Sequence, residues 1–218
     1  MIDQYKILYQ GGVGELTEKK SRFIATTRPV SCEQEAVDFI SEMKKQHWDA
    51  SHNCSAYVIG ADGKLCRCSD DGEPGQTAGR PMLDVLLGQE IRNVCVVVTR
   101  YFGGTLLGTG GLVRAYSGAV QEGLKESIII EKKLARKLKI ITDYNGIGKI
   151  QYILASQNIN ILDSIYTDRV ELEALVPVNM QDLLAGEITE GTSARARMEW
   201  LETLYYGLAD KEIIIFED

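Results

Sequence analysis

The chain has 218 residues, of which 44% are hydrophobic and 25% charged, and its formal net charge is -7. This composition excludes a disordered chain and suits one large domain or two smaller ones. No apolar run approaches the roughly 18 residues of a membrane span, and the first residues lack the basic start and apolar core of a signal peptide. We therefore expect a cytoplasmic protein that makes no membrane contact.

The charge is unevenly distributed along the chain. Residues 1–133 carry 16 basic and 17 acidic residues, a net charge of -1, whereas residues 134–218 carry 8 and 14, a net charge of -6. Attraction to nucleic acid needs a positive surface, so any such binding would use a local cluster in the N-terminal part. The five cysteines are too few, and odd in number, for a disulfide scaffold, and we expect reduced thiols.

The first part of the chain predicts a hairpin, a further strand and a helix. We predict a hairpin from two strands, at 5–9 and 15–17, that flank a glycine-rich turn, with a further strand at 22–27. Ser31 and Gln34 form a capping-box pattern for the first helix. The apolar residues at helical spacing in that helix are predicted to be core, and they are Ala36, Val37, Ile40 and Met43.

A second hairpin is predicted around Asp62-Gly63, a dipeptide that tolerates the positive φ angles of a type I′ turn. If these two residues form the whole loop, Cys66 and Cys68 share one face of the sheet. In the same register Cys54 lies on the opposite face.

Histidines and cysteines occur close together here, namely His47, His52 and Cys54 before the two later cysteines. Their spacing fits no standard zinc module, and the predicted register separates Cys54 from the others, so we expect no metal site. Cys54 and His52 could form a nucleophile pair, but no third group can be named that would orient them. Catalysis by this pair is left unassigned, and His47 is interpreted as part of a helix end packed under Trp48.

The middle of the chain predicts a helix, a buried strand and a second helix. Proline at position 81 and glycine at position 88 suit the start and stop of a short helix. The β-branched run at 94–99 is typical of a strand buried on both faces, and we expect it to be the central strand. A helix at 112–124 then follows, in which the residues close to the sheet are Ala115, Tyr116 and Ala119.

From about Ala135 the pattern restarts as strand, helix, strand, strand, helix, strand, which is the ferredoxin-like order βαββαβ. The predicted elements are a strand through 138–140, a helix at 148–157, strands at 161–166 and 170–176, a helix at 180–190 and a strand within 196–206. We predict two domains, at 1–133 and 134–218. The basic run at 132–139 is interpreted as a solvated connection between them.

One segment with candidate functional residues spans 70–81. It places Asp70, Asp71 and Glu73 within four residues, followed by two glycines and then by Arg80 at the start of a helix. The helix N-terminus and Arg80 could hold an anion, and the carboxylates could act as general base or divalent-metal ligands. A plain surface loop with glycine and proline as turn formers explains the composition equally well.

A second such segment spans 100–114, between the buried strand and a helix. Its small residues let backbone amides approach a phosphate or carboxylate, and its arginines supply charge. These candidate residues are Arg100, Gly103, Gly104, Gly108, Gly110, Gly111 and Arg114. The segment matches neither the Walker A nor the GxGxxG pattern. Tyr101 and Phe102 could stack on a base, although such a pair after a core strand is more often packing.

Together the two segments closely resemble the signature of the IMPACT family, in its bacterial YigZ-like branch. The resemblance is carried by residues 70–74 with 77–83 and by residues 100–104 with 107–112, and it extends over nearly the whole chain. It implies an α+β fold. The N-terminal domain would be an α/β sandwich like the second domain of a small-subunit ribosomal protein, and the ferredoxin-like C-terminal domain would resemble those of elongation factor G.

The resemblance also implies a link to translation. Eukaryotic relatives restrain a starvation-responsive kinase pathway of translation initiation by competing for a large scaffold protein, through segments that this chain lacks. We therefore expect a non-catalytic, translation-associated regulatory protein that uses no cofactor and no metal. It would bind RNA, the ribosome or a translation factor through its N-terminal domain, using Arg80, Arg100, Tyr101, Gly103, Gly104, Gly108, Gly110, Gly111 and Arg114.

Two alternatives stay open. The chain could be a hydrolase or phosphotransferase that uses Asp70, Asp71 and Glu73. It could also be a protein-interaction module whose acidic C-terminal domain binds a basic partner. The sequence predicts no oligomeric state.

Overall fold

The computed structural model describes residues 2–210 and 212–216, which form two compact units. The N-terminal unit consists of Ile2 and Gln4–Glu131, and the C-terminal unit contains Asp3 and the chain from Lys132 onward. Both units combine helices with a β-sheet, which confirms the predicted α+β class. No helix of the described residues is both long and apolar enough to cross a membrane.

The N-terminal unit is built on a five-stranded antiparallel sheet in the order β2-β3-β7-β4-β5. Its strands are β1 (Gln4–Gln10), β2 (Val13–Glu18), β3 (Ser21–Pro29), β4 (His52–Ile59), β5 (Leu65–Ser69), β6 (Ile91–Arg92) and β7 (Val94–Tyr101), and its helices are α1 (Glu33–Gln46), α2 (Gly79–Gly88) and α3 (Thr109–Lys125). Strand β7 is central and fully buried from Val94 to Arg100, as its β-branched run predicts. The short strands β1 and β6 pair with each other in parallel.

Helices cover both faces of this sheet. On one face, Val96 and Val98 of β7 pack with Met82 of α2 and Tyr116 of α3. On the other face, the alternate residues of β7 pack with α1 through Phe39. The side chains of β7 therefore contribute to two cores, which explains why its sequence is apolar without alternation.

The predicted opening hairpin is wrong. Strand β1 pairs with β6, and the hairpin is formed by β2 and β3, whose turn contains Lys19 and Lys20 at φ 45° and 67°. The glycines within residues 11–14 allow close packing and do not form the turn of the hairpin. A Cβ on Gly14 would collide with the backbone of Glu122 in α3, and one on Gly11 would collide with Thr27 of β3.

The predicted register of the second hairpin is also wrong. Strands β4 and β5 are joined by the five residues between Ile59 and Leu65, and Gly63 donates a hydrogen bond to the Gly60 carbonyl at 2.9 Å. This longer loop shifts the register by one residue. Cys66 and Cys68 then share the sheet face of Cys54, because a one-residue shift reverses the face of every side chain.

The start of α1 also differs from the prediction. The backbone N–H of Ser31 donates to the Glu35 carboxylate at 2.6 Å, and the Ser31 hydroxyl also binds it at 3.0 Å, whereas Gln34 bonds Asp38. The helix begins at Glu33, so its N-cap is Cys32, and Glu35 binds the residue that precedes the N-cap. The predicted capping box of Ser31 with Gln34 is therefore wrong. Val37, predicted to be core, is 45% exposed.

The C-terminal unit has the ferredoxin-like order that the sequence predicts. Its elements are β8 (Ile128–Thr142), of which the part from Lys132 belongs to this unit, α4 (Ile147–Ser156), β9 (Asn160–Tyr166), β10 (Val170–Pro177), α5 (Gln181–Gly191), β11 (Arg197–Ala209) and β12 (Glu212–Phe216). The antiparallel order is β9-β10-β8-β11-β12, in which β12 is an edge strand that the sequence did not predict. Helices α4 and α5 pack on the sheet through Leu154 and Leu184.

The basic run at 132–139 is part of β8 and is not a solvated connection. Lys137 Nζ lies 2.7 Å from Glu173 Oε2, and Lys139 Nζ lies 2.6 Å from Glu171 Oε2, both on the neighbouring β10. The ammonium groups thus form cross-strand pairs with part of the acidic surface of this unit.

The close approach of β2 to α3 predicts a specific sensitivity to substitution. We expect Gly14→Ala to lower the free energy of unfolding by about 1–3 kcal/mol, because its Cβ would push β2 away from the backbone of α3. Gly75→Ala is the control, since no atom lies within 4 Å of its added Cβ, and it should change stability by less than about 1 kcal/mol. Urea denaturation measures the free energy of unfolding of both variants. Equal losses would contradict this interpretation of Gly14.

Candidate functional site

The loop between β5 and α2 is organised by Asp70. Its Oδ1 accepts hydrogen bonds from the backbone N–H of Ala78 at 3.0 Å and of Gly79 at 2.8 Å, and its Oδ2 accepts from that of Gln76 at 2.8 Å. Partial burial acts to raise the pKa of Asp70, but these three backbone donors outweigh it and lower the pKa. The N-terminus of α2 is therefore already occupied by a carboxylate from its own chain.

Asp71 ties the same loop to β4 and α1. Its carboxylate accepts hydrogen bonds from the backbone N–H of Asn53 at 2.7 Å and from Lys44 Nζ at 2.5 Å. Its backbone carbonyl lies 3.0 Å from His52 Nδ1. Because a carbonyl oxygen only accepts, Nδ1 carries the imidazole proton, and Nε2 is the acceptor in the neutral ring.

Glu73 is the third carboxylate, and it forms a buried ion pair with Arg100 at the end of β7. Arg100 Nη1 lies 2.6 Å from Glu73 Oε1, and the two residues are 5% and 8% exposed. The Tyr116 hydroxyl of α3 donates to the same Oε1 at 2.7 Å, and His52 Nε2 lies 3.8 Å from Oε2. His52 belongs to this cluster because the register of β4 and β7 pairs it directly with Arg100.

The surroundings of the ion pair are apolar. The Arg100 guanidinium carbon lies 5.4 Å from the centre of the Phe23 ring and 5.5 Å from that of Phe102. The buried Arg100 Nε has no hydrogen-bond partner among the described residues. A buried donor without an acceptor typically costs about 1–3 kcal/mol, so the unpaired Nε lowers the stability of this cluster.

Cys54 lies beside the cluster but does not form a nucleophile pair with His52. Its thiol donates to the Asp70 carbonyl at 3.0 Å, while His52 Nδ1 is engaged by Asp71. Burial raises the pKa of Cys54 to about 12, so the thiolate is scarce at neutral pH. Among the described residues no three His, Cys, Asp or Glu side chains are placed to hold a metal ion.

An open cavity of about 520 Å³ lies over the ion pair. Its polar lining comes from β4 and its preceding residue, the acidic loop, β7 and the start of α3, and comprises Ser51, His52, Glu73, Arg100 and Thr109. Its apolar lining comprises Pro74, Phe102, Leu106, Leu107 and Leu112, with Gly72 and Gly108 between the two groups. Phe102 and Leu106 are 48% and 81% exposed, which makes an accessible apolar wall.

The start of α3 borders this cavity. Its N-cap residue is Gly108 at φ 73°, and the first N–H bonded within the helix is that of Leu112, which donates to the Gly108 carbonyl at 3.0 Å. The N–H groups of Thr109, Gly110 and Gly111 precede it and are therefore not used by the helix. The first turn contains no acidic residue.

Only part of the predicted binding set lines the cavity, namely Arg100 and Gly108, together with Glu73 from the carboxylate set. Arg80 lies outside the lining and binds Asp84 one helical turn away at 2.8 Å. The Tyr101 hydroxyl lies 2.9 Å from His47 Nδ1, so Tyr101 is engaged locally. The remaining predicted residues adjoin the cavity in sequence without lining it, and they are Gly103, Gly104, Gly110, Gly111 and Arg114. A role of these residues in binding stays a prediction.

Three features of this region were missed by sequence reasoning. His52 and Tyr116 contact Glu73 from two other elements, and their part in the site depends on pairings that no local pattern reveals. Trp48, predicted to be packed, is 82% exposed. The sequence did contain a signal for this exposure, because Trp48 follows shortly after a helix whose last residues are polar. A large aromatic side chain that is left exposed often serves recognition.

Comparison with known proteins defines the relationship of the chain. The model of the Impact N-terminal domain matches residues 19–124, and that of a domain of unknown function, DUF1949, matches residues 140–195. The IMPACT family member YvyE of Bacillus subtilis is 42% identical over 205 residues, which cover 94% of each chain. The chain belongs to the IMPACT family. The family member YigZ of Escherichia coli, 38% identical over 73% of this chain and 79% of its own, places it in the YigZ-like branch.

A similar solved structure supports the fold. It is described as the crystal structure of a hypothetical protein, and it is 31% identical, with a TM-score of 0.59 over 93% of this chain and 99% of its own. The two-domain fold that the sequence resemblance implies is thereby confirmed. Membership of the IMPACT family suggests a regulatory role related to translation.

The buried ion pair predicts strong coupling between Glu73 and Arg100. Arg100→Met should lower the free energy of unfolding by about 3–5 kcal/mol, because it leaves a buried carboxylate without its counter-charge. Glu73→Gln should also destabilise, whereas the double variant should recover a large part of the sum of the two losses. Urea unfolding of the four proteins gives this cycle, and strictly additive losses would contradict the coupling.

The capping role of Asp70 predicts a pH dependence. Asp70→Asn should lower the free energy of unfolding at pH 7 by about 0.5–2 kcal/mol, as loss of a helix cap does. The folded-state pKa of Asp70 lies below the ordinary aspartate value of 3.8, so the stabilisation is complete above that value and is lost as the pH falls through the folded-state pKa. The difference from the unsubstituted protein should therefore shrink at acid pH, measured by urea unfolding.

Asp38→Asn, on the exposed face of α1, is the control for a general change of charge. It should have little effect at either pH. A difference for Asp70→Asn that stays constant down to pH 3 would contradict the assigned role of its carboxylate.

Proposed function

We propose that this protein is a non-catalytic, translation-associated regulatory protein of the cytoplasm that binds single-stranded RNA through its N-terminal unit. The observation that carries the proposal is a group of exposed cations and exposed aromatic side chains around the cavity. Family membership supports the link to translation, and RNA is the partner whose charge and flat bases fit this surface best. The ribosome would then be contacted through its RNA.

The cations lie on two elements next to the cavity. Lys19 and Lys20 form the exposed turn between β2 and β3, and Gly103, directly after the cavity residue Phe102, packs on the backbone of Lys20. Arg114 lies in α3, where its guanidinium folds back toward Gly110. Among the described residues, none of these three cations has an ion-pair partner, so their charges are available for phosphates.

The aromatic side chains supply the second part of an RNA surface. Phe102 is 48% exposed at the cavity wall. Trp48 is 82% exposed in a segment that contacts the same end of β7, where His47 and Asp49 bind the Tyr101 hydroxyl. Bases of a single strand stack on such rings with about 1–3 kcal/mol per base, without a strong sequence preference.

The two alternatives have less support. Asp70 and Asp71, the first candidates for catalysis, are engaged by backbone N–H groups and by Lys44, and Glu73 is paired with Arg100. Residues 134–218 carry a net charge of -6, which suits a basic protein partner but repels RNA. RNA binding is therefore assigned to the N-terminal unit.

The proposal predicts a change in salt dependence. With a single-stranded RNA of about 12 nucleotides, labelled at its 3′ end, fluorescence anisotropy should give an affinity that falls as salt rises. Lys20→Gln combined with Arg114→Gln should weaken binding and reduce the slope of log K against log salt by about 1.4, that is about 0.7 for each lost phosphate contact.

The matched control removes two cations elsewhere in the N-terminal unit, by Lys64→Gln in the loop after β4, at the opposite end of this strand from His52, and by Lys125→Gln at the far end of α3. This end lies about 24 Å from the cavity along the 17-residue helix. The control should leave the slope unchanged. The proposal is wrong if the unsubstituted protein does not bind the RNA at low salt, or if both double variants lose the same affinity.

A further inference from the structure

The cavity over the ion pair contains hydrogen-bond donors and acceptors in separate places. The donors are the N–H groups at the start of α3 and the guanidinium of Arg100. The acceptors are His52 Nε2, since Nδ1 donates to the Asp71 carbonyl, and Glu73 Oε2, which has no hydrogen-bond donor among the described residues. A ligand that fits this arrangement carries an anionic group and also hydroxyl groups.

Two independent observations identify the anionic end of the ligand. The first turn of α3 presents three N–H groups that the helix does not use, with no side chain at Gly110 and no carboxylate nearby in the turn. In the same cavity, Arg100 is 95% buried; its Nη1 binds Glu73, whereas its accessible Nη2 has no acceptor among the described residues. Amides of a helix start with an adjacent guanidinium are a typical phosphate site.

The charges within the cavity are balanced before a ligand enters. Arg100 compensates Glu73 through the contact at 2.6 Å, and Tyr116 gives the same carboxylate oxygen a second donor. The carboxylate therefore opposes an anion less than a free one would. The remaining positive potential comes from the N-terminus of α3 and from Arg114 in its second turn.

The rest of the cavity fits the base and the ribose of a nucleotide. Phe102 and Leu106 form an exposed apolar wall on which a base can stack, and His52 and Glu73 can accept hydrogen bonds from ribose hydroxyls. The volume of about 520 Å³ lies in the range of small-ligand sites. A duplex does not present an unstacked nucleotide in this way.

We propose that this cavity binds one nucleoside 5′-monophosphate, with its phosphate at the start of α3 and its base against Phe102 and Leu106. The nucleotide is either free or the 5′ end of a single-stranded RNA, and the two share the same chemistry. In the second case the inference rests on the proposed RNA binding and gives it a preference for 5′-phosphorylated ends.

The test uses AMP as the probe and Thr109 as the position of change, because Thr109 is exposed in the cavity and is the first residue of α3. Thr109→Asp adds a carboxylate where the phosphate would lie, and it should not impair folding because an acidic residue stabilises a helix start. Thr109→Asn has nearly the same shape without the charge.

Isothermal titration calorimetry with the full chain should show that AMP binds and that adenosine binds at least about tenfold more weakly, a difference of about 1.4 kcal/mol. Thr109→Asp should weaken AMP binding at least about tenfold, and Thr109→Asn by less than about threefold. The inference is overturned if AMP does not bind at millimolar concentration, or if the two variants weaken binding equally.

A second measurement distinguishes the two sources of the nucleotide. Anisotropy compares 5′-phosphorylated with 5′-hydroxyl RNA of one sequence, labelled at the 3′ end. A preference for the phosphorylated end that Thr109→Asp abolishes assigns the cavity to RNA ends, and AMP binding without such a preference assigns it to a free nucleotide. RNA binding with no AMP binding overturns only this inference, whereas AMP binding with no RNA binding overturns only the proposed function.

Discussion

The buried ion pair between Glu73 and Arg100 is the interaction on which the candidate site depends. It joins the loop after β5 to the central strand β7, and the Tyr116 hydroxyl extends it to α3. Each charge is buried among apolar groups and would be costly without the other, so the pair fixes the positions of all three elements around the cavity. Asp70 and Asp71 support the same loop from outside the cavity through backbone hydrogen bonds, which explains why three carboxylates lie within four residues.

The fold was largely predictable where the signal is a property of one segment. The β-branched run of β7 identifies a strand buried on both faces, and the element order of the C-terminal half identifies the ferredoxin-like motif. The opening hairpin was wrong because glycine has two structural uses. At Gly14 the missing side chain allows contact with α3, about 100 residues later in the chain, while the real turn is made by lysines at positive φ. A local pattern does not distinguish these uses.

The candidate site was only partly predictable, for a related reason. Both segments chosen from the sequence border the cavity, but they were interpreted separately, as carboxylates and as cations. The contact of Glu73 with Arg100 spans 27 positions and neutralises the charge that each was expected to offer. It depends on the register that sets His52 opposite Arg100, and the predicted register of the neighbouring hairpin was itself wrong by one residue. The exposure of Trp48 likewise follows from tertiary packing.

The starts of α2 and α3 show how the same local feature can serve structure in one place and recognition in another. At α2, Asp70 occupies the N-terminal amides, so the helix start holds the acidic loop together. At α3, the N-cap is a glycine with no side chain to offer, and the Nη2 of Arg100 in the same cavity has no acceptor among the described residues. An internal carboxylate makes a permanent cap, whereas an open helix start beside a balanced ion pair favours an anion that can come and go. The glycines of the second segment thus have separate causes: Gly103 packs on the backbone of Lys20, and Gly104 and Gly108 have positive φ angles, whereas Gly110 leaves the start of α3 without a side chain.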